Sequence, residues 1–222
     1  MLSVQRSLIV FLKDFRLEWR SRFGLSTVLA FIVSAMLVVL YSLRADQLPL
    51  AVQSGLMWII ILFASLTTLA RVFVSESERG TLDLLRLNAE PVTVFLGKLI
   101  YNFLFTLLFS VFTVILFMVM INLTISKPIL FLCVLVLGSS GLAGTTTLLG
   151  ALVAQASGKG AIFPVLALPL LIPLMLLLVR LTQVAVTQDT DVSIWNDFAA
   201  LVGFTGVTVS ASLVLFDNIW ED

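Results

Sequence analysis

The sequence predicts an all-α integral membrane protein with six transmembrane helices, an N-terminal amphipathic helix at the interface, and a cytoplasmic coupling helix between the second and third spans. Three observations carry this. Of 222 residues, 60% are hydrophobic and 12% charged, against about 45–50% apolar and about 25% charged in soluble domains. The apolar residues fall in long runs, each near the roughly 20 residues a spanning helix needs. The charges gather between the runs, most densely at Arg71–Pro91, where Arg71, Glu76, Glu78, Arg79, Asp83, Arg86 and Glu90 share one polar stretch. The runs leave no room for a separate soluble domain, so residues 1–222 read as a single transmembrane domain.

Residues 4–23 place Leu8, Leu12, Phe15, Trp19 and Phe23 at helical spacing, with Arg6, Lys13, Arg16 and Arg20 largely on another side. This is the pattern of a helix lying in the headgroup region, with Arg16 and Arg20 toward anionic lipid and Trp19 at the interface. A signal peptide would be shorter and less charged, and the run that follows is long enough to span.

The first span is expected at 24–43, stopped by Arg44 and Asp46, and the second at 48–70, stopped by Arg71; the short 44–47 link makes them a hairpin. The apolar run 92–121 exceeds one bilayer crossing. Lys98, Tyr101 and Asn102 lie in its first third, so that part is placed at the interface and the third span at 103–121. The fourth span follows at 129–154, the fifth at 161–179 and the sixth at 198–216, before an acidic tail.

Six spans put both termini on one side. With that side inside, the inner segments hold Arg6, Lys13, Arg16, Arg20, Arg22, Arg71, Arg79, Arg86, Lys98 and Lys159, whereas the outer ones hold Arg44, Lys127 and Arg180. The excess of inner Lys and Arg orients the chain with both termini and the Arg71–Pro91 loop in the cytoplasm.

Two spans carry further signals. In the fourth, Gly138, Gly141, Gly144 and Gly150 alternate with Ser139, Ser140, Ala143 and Thr145–Thr147. Small residues at this spacing let membrane helices approach closely and cross-bond, which we read as packing, the alternative being a polar seam along a conduit. The fifth carries Pro164, Pro169 and Pro173, each removing a backbone donor. A kinked or broken helix is expected, serving either as a hinge or pathway element or as a bent packing helix.

Several chemistries are excluded. There is no Gly-x4-Gly-Lys-Ser/Thr phosphate loop, so the chain is not an ATPase or other enzyme on its own. With no histidine and one cysteine, Cys133, the usual Cys and His metal sets are lacking, and no metal site is expected. No basic run with interleaved aromatics suggests nucleic acid. No acidic pair inside an expected span offers a proton relay. Uphill transport would therefore need energy from another subunit.

After Gly80, Leu82, Leu85 and Ala89 share one helical side and Asp83, Arg86 and Glu90 another, predicting a short surface helix over about 81–88 inside a coupling segment 75–90. The run SESERGTLDLLRLNAEP, Ser75–Pro91, resembles the acidic-Gly-Thr-Leu-acidic-x-Leu signature of ABC-2-type permeases. The matching positions are Glu76, Glu78, Arg79, Gly80, Thr81, Leu82, Asp83 and Leu85. The resemblance implies that these residues couple to a cytoplasmic ABC ATPase subunit, which binds the ATP. The amphipathic N-terminal helix resembles the interfacial helix of the same superfamily.

Within it, chain length, six spans, the Leu69–Lys98 segment and LALPLLIPLM at Leu166–Met175 are most similar to the heme exporter protein B (CcmB) family. That resemblance implies a permease of the bacterial inner membrane acting in c-type cytochrome biogenesis. It also implies two copies per complex and further cytochrome c maturation membrane proteins as partners, with heme as cargo. Heme iron is held by His, Met, Cys or Tyr; without histidine, no directly bound cofactor is expected and axial ligation falls to a partner. Two alternatives stand beside this reading: an ABC-2 permease for another lipidic, glycan or drug cargo, and a non-transporting scaffold of the same kind of complex.

Overall fold

The computed structural model describes residues 2–43, 48–69, 76, 80, 87, 89–155, 162–187 and 194–221. Its described elements are seven α-helices: α1 (Leu2–Ser21), α2 (Phe23–Leu43), α3 (Leu50–Leu69), α4 (Pro91–Met120), α5 (Pro128–Gln155), α6 (Ile162–Val186) and α7 (Trp195–Glu221). The all-helical membrane architecture follows from solvent. Without water to satisfy backbone groups, a lone segment in a bilayer must bond internally.

Five helices contain stretches long and apolar enough to cross a membrane: Gly24–Tyr41, Leu50–Thr67, Pro91–Met120, Pro128–Leu152 and Trp195–Asp217. The expected fifth crossing corresponds to α6, 25 residues long, whose described apolar part is Leu171–Val186.

Two helices run beyond the spans expected within them. The helix that carries the expected third span of 103–121 begins well before residue 103. Pro91, with its fixed φ, starts a single 30-residue helix with no interruption at Lys98 or Asn102, because both side chains find cover inside the protein. α6 likewise runs past 179 to Val186, and its backbone is helical through Pro164, Pro169 and Pro173. These prolines sit within a continuous helix and do not break it.

α2 shows the packing logic. Val28, Ile32, Met36 and Val39 are buried at helical spacing, while Leu37, Val38 and Tyr41 on other faces are exposed, the one-sided burial expected of a helix with lipid on its outer side. α4 and α5 run antiparallel: Asn102 Nδ2 donates to Thr147 Oγ1 at 2.7 Å near one end, and Ser110 and Ser139 hydroxyls lie 3.3 Å apart further along.

α5 is the central packing element. An added Cβ at Gly138 would lie 2.5 Å from Trp58 of α3 and 2.6 Å from Leu178 of α6; at Gly144 it would lie 3.2 Å from Val209 of α7. The small residues of α5 are thus packed against neighbouring side chains. The Thr145 and Thr146 hydroxyls fold back onto their own helix, donating to the carbonyls of Gly141 and Leu142, while Thr147 donates to the Ala143 carbonyl and also accepts the bond from Asn102.

At the opposite end of the bundle from α1, the 121–127 turn is fixed to the end of α6. The Ser126 and Lys127 amides donate to the Ala185 carbonyl at 3.1 and 2.8 Å, and the Ser126 hydroxyl donates to the Val186 carbonyl at 2.9 Å. There too Arg180 Nε meets Asp197 Oδ2 at 2.9 Å, joining α6 to α7.

Candidate functional site: a buried charge cluster at the foot of the bundle

α1 does not bury the apolar side that its sequence pattern displays. Leu8, Leu12, Phe15 and Trp19 are exposed, as are Arg16 and Arg20, while Ser7, Val10 and Asp14 turn inward against α4. Gly97 makes this possible. A Cβ there would stand 2.8 Å from the Ser7 carbonyl oxygen and 2.8 Å from Val10 Cβ, so only glycine lets the two backbones come this close. The exposed Leu8–Trp19 side remains available to lipid, as an interfacial helix requires.

One residue beyond Gly97, Lys98 is 0% exposed. Its ammonium lies 3.3 Å from Asp14 Oδ2 of α1 and 3.2 Å from Glu76 Oε1 of the α3–α4 connection. Lys13, partly exposed, completes the group. Its ammonium is 3.4 Å from Asp14 Oδ1 and donates a hydrogen bond to Glu76 Oε1. Two ammonium groups and two carboxylates interleave, and the cluster is formally neutral.

Neutrality matters because an isolated buried charge costs several kcal/mol of lost hydration, which only good pairing offsets. Burial alone would lower the pKa of Lys13, but the hydrogen bond to Glu76 and the charges of Asp14 and Glu76 outweigh it and hold the group above its ordinary 10.5. Lys13 therefore stays charged at any physiological pH. Arg6 of α1 and Glu90, just before α4, approach at 4.0 Å on the surface nearby, a pairing worth little by itself.

Above the cluster the buried side of α4 continues polar, through Asn102, Thr106, Ser110 and Thr113. The Asn102 carboxamide oxygen and the Thr106 hydroxyl have no hydrogen-bond partner among the described residues. This stripe faces α5 and links the foot of the bundle to its centre.

Of the residues expected to couple to a partner, Glu76 is 6% exposed and engaged inside the chain, and Gly80 is exposed with φ +64°, a left-handed turn that suits glycine. Glu78, Arg79, Thr81, Leu82, Asp83 and Leu85 lie outside the described residues, as does most of the expected 81–88 helix; within it Leu87 is helical and 82% exposed. Pro173 lies on an exposed side of α6. The side chains of Pro164 and Pro169 fall outside the described set.

Sequence reasoning did not bring Lys13, Asp14 and Lys98 together. The available signal was Lys98 itself, a charge inside a 30-residue apolar run, which in a membrane protein points to a buried partner. The complementary signal was Asp14, an acid on an otherwise basic helix.

Residues 5–217 match the family described as CcmB protein. Heme exporter protein B of Rhodobacter capsulatus is 30% identical over 200 residues, covering 89% of this chain and 90% of that protein. A match running from α1 through α7, together with the helical membrane architecture, places the chain in the CcmB protein family.

Proposed function

We propose that the chain is the transmembrane permease subunit of an ATP-binding cassette complex that handles heme for export in c-type cytochrome biogenesis. In this reading it sits in the bacterial inner membrane with both termini in the cytoplasm, present in two copies, beside other maturation proteins. A cytoplasmic ATPase supplies the energy, since the sequence holds no phosphate loop. The name of the Rhodobacter capsulatus relative supports the heme assignment.

The observation that carries the mechanism is the contact of Glu76 with Lys98 and Lys13. The coupling segment 75–90 docks on the ATPase through its later residues, while Glu76 at its start ties it to α1 and α4. Movement of the docked segment then shifts the cluster and both helices as a unit. Packing of Trp58, Leu178 and Val209 against the glycines of α5 favours a subunit that converts ATPase motion into release of heme from a neighbouring protein over one that conducts heme through its own bundle.

Charge reversal in the docking region tests the reading. Glu78→Lys combined with Asp83→Lys should abolish co-purification of the ATPase and lower c-type cytochrome in cells, at unchanged abundance of the subunit. Normal co-purification with undiminished cytochrome would refute it, and a loss of some other exported compound with normal cytochrome would reassign the cargo.

A further inference from the structure

The turn from α1 to α2 is made by Arg22 alone, held at φ 54°, a left-handed conformation uncommon for any residue but glycine and asparagine. Two backbone bonds fix it: the Arg22 amide donates to the Glu18 carbonyl at 2.7 Å, and the Ser26 amide donates to the Arg22 carbonyl at 3.0 Å. This backbone sets the guanidinium 5.9 Å from the centre of the Trp19 ring, within cation–π range. A bulky cation in a strained turn invites a functional explanation.

Beside it is a cavity of about 240 Å³ lined by Glu18, Trp19, Arg22, Leu25 and Phe105. Its apolar side continues into an aromatic cluster, with Phe15 stacked 6.0 Å from Trp19 and 6.2 Å from Phe105. The Glu18 carboxylate is turned toward the start of α2, where its Oε1 accepts the Leu25 amide at 2.8 Å, as favoured for an acid near a helix N-terminus. Residues 6–22 carry five basic side chains, Arg6, Lys13, Arg16, Arg20 and Arg22, against two acidic ones, Asp14 and Glu18.

We propose that this elbow binds an anionic glycerophospholipid, one acyl chain entering the cavity beside Leu25 and Phe105 and the headgroup phosphate meeting Arg22. A volume below the about 300–1,000 Å³ of small-molecule clefts accommodates part of a hydrocarbon chain and is too small for a planar macrocycle. Guanidinium suits phosphate, and an interfacial tryptophan marks the level at which the headgroup lies. The bound lipid fills the corner between α1, α2 and α4 and so fixes the angle at which the interfacial helix leaves the bundle. The inference does not depend on the energy source or cargo proposed above.

Native mass spectrometry of the purified full chain, supplied with equal phosphatidylglycerol and phosphatidylcholine of the same acyl chains, tests it. The wild type should retain phosphatidylglycerol preferentially. Arg22→Asn, which keeps a residue tolerant of the left-handed turn, should reduce that retention about tenfold, the scale of one charge-assisted hydrogen bond. Lys127→Gln, which removes a positive charge at the opposite end of the bundle, far from the cavity, should leave it unchanged. Equal retention of both lipids by the wild type, an unaltered preference in Arg22→Asn, an equal loss in Lys127→Gln, or displacement of the lipid by added hemin would each overturn the assignment.

Discussion

A lysine with no exposed surface, Lys98, is kept in the bundle by two carboxylates at 3.2 and 3.3 Å. Removing one member of such a group leaves an uncompensated buried charge, and the typical cost is about 3–5 kcal/mol. Lys98→Met leaves Lys13 facing both Asp14 and Glu76, one negative charge in excess. It should therefore destabilise the protein by about that amount, read as a lower midpoint of thermal unfolding in detergent. Adding Glu76→Gln restores neutrality, so the double variant should be more stable than Lys98→Met alone. Additive losses would show that the residues do not act as one electrostatic unit.

At the scale of elements, the helices were legible in the sequence because lipid imposes long apolar runs, and each expected span from 24–43 to 198–216 has a helix at its place. Less legible was what their polar residues do. Lys98, Tyr101 and Asn102 suggested an interfacial level for the first third of the run, whereas all three side chains are buried within a helix that begins at Pro91. Their meaning depended on Asp14, Glu76 and Thr147, 84, 22 and 45 residues away from their respective partners, distances that no local pattern encodes. The glycines of α5 were better signals, because close approach is nearly all that such spacing can serve.

Gly138 and Gly55 give a paired test of that close approach. A Cβ at Gly138 meets Trp58 at 2.5 Å, whereas nothing lies within 4 Å of one at Gly55. Gly138→Ala should therefore cost about 1–3 kcal/mol through overpacking, while Gly55→Ala in the interior of α3 should be neutral or slightly stabilising. The comparison can be made by thermal unfolding in the same detergent; equal effects would contradict the placement of α5 between α3 and α6.

Across the whole molecule, the foot and the far end of the bundle are built differently. At the far end the 121–127 turn grips the end of α6 by backbone bonds, and Arg180 pairs with Asp197. At the foot, side-chain charges from three separate parts of the chain meet around Lys98, and the aromatic contact of Phe95 with Phe216 at 5.0 Å ties α4 to the end of α7. A movement imposed on the α3–α4 connection thus reaches α1 through Asp14 and Lys13, and the rest of the bundle through α4.

Glu76→Gln examines that linkage most directly, in membranes containing the proposed ATPase partner, by measuring ATPase co-purification and c-type cytochrome yield together. With both readouts normalised to subunit abundance, the expected result is retained ATPase binding with cytochrome yield reduced at least about fivefold, the lower range of typical coupling energies. Full cytochrome yield in this variant, or loss of ATPase binding in place of loss of coupling, would contradict a transmission role for the cluster.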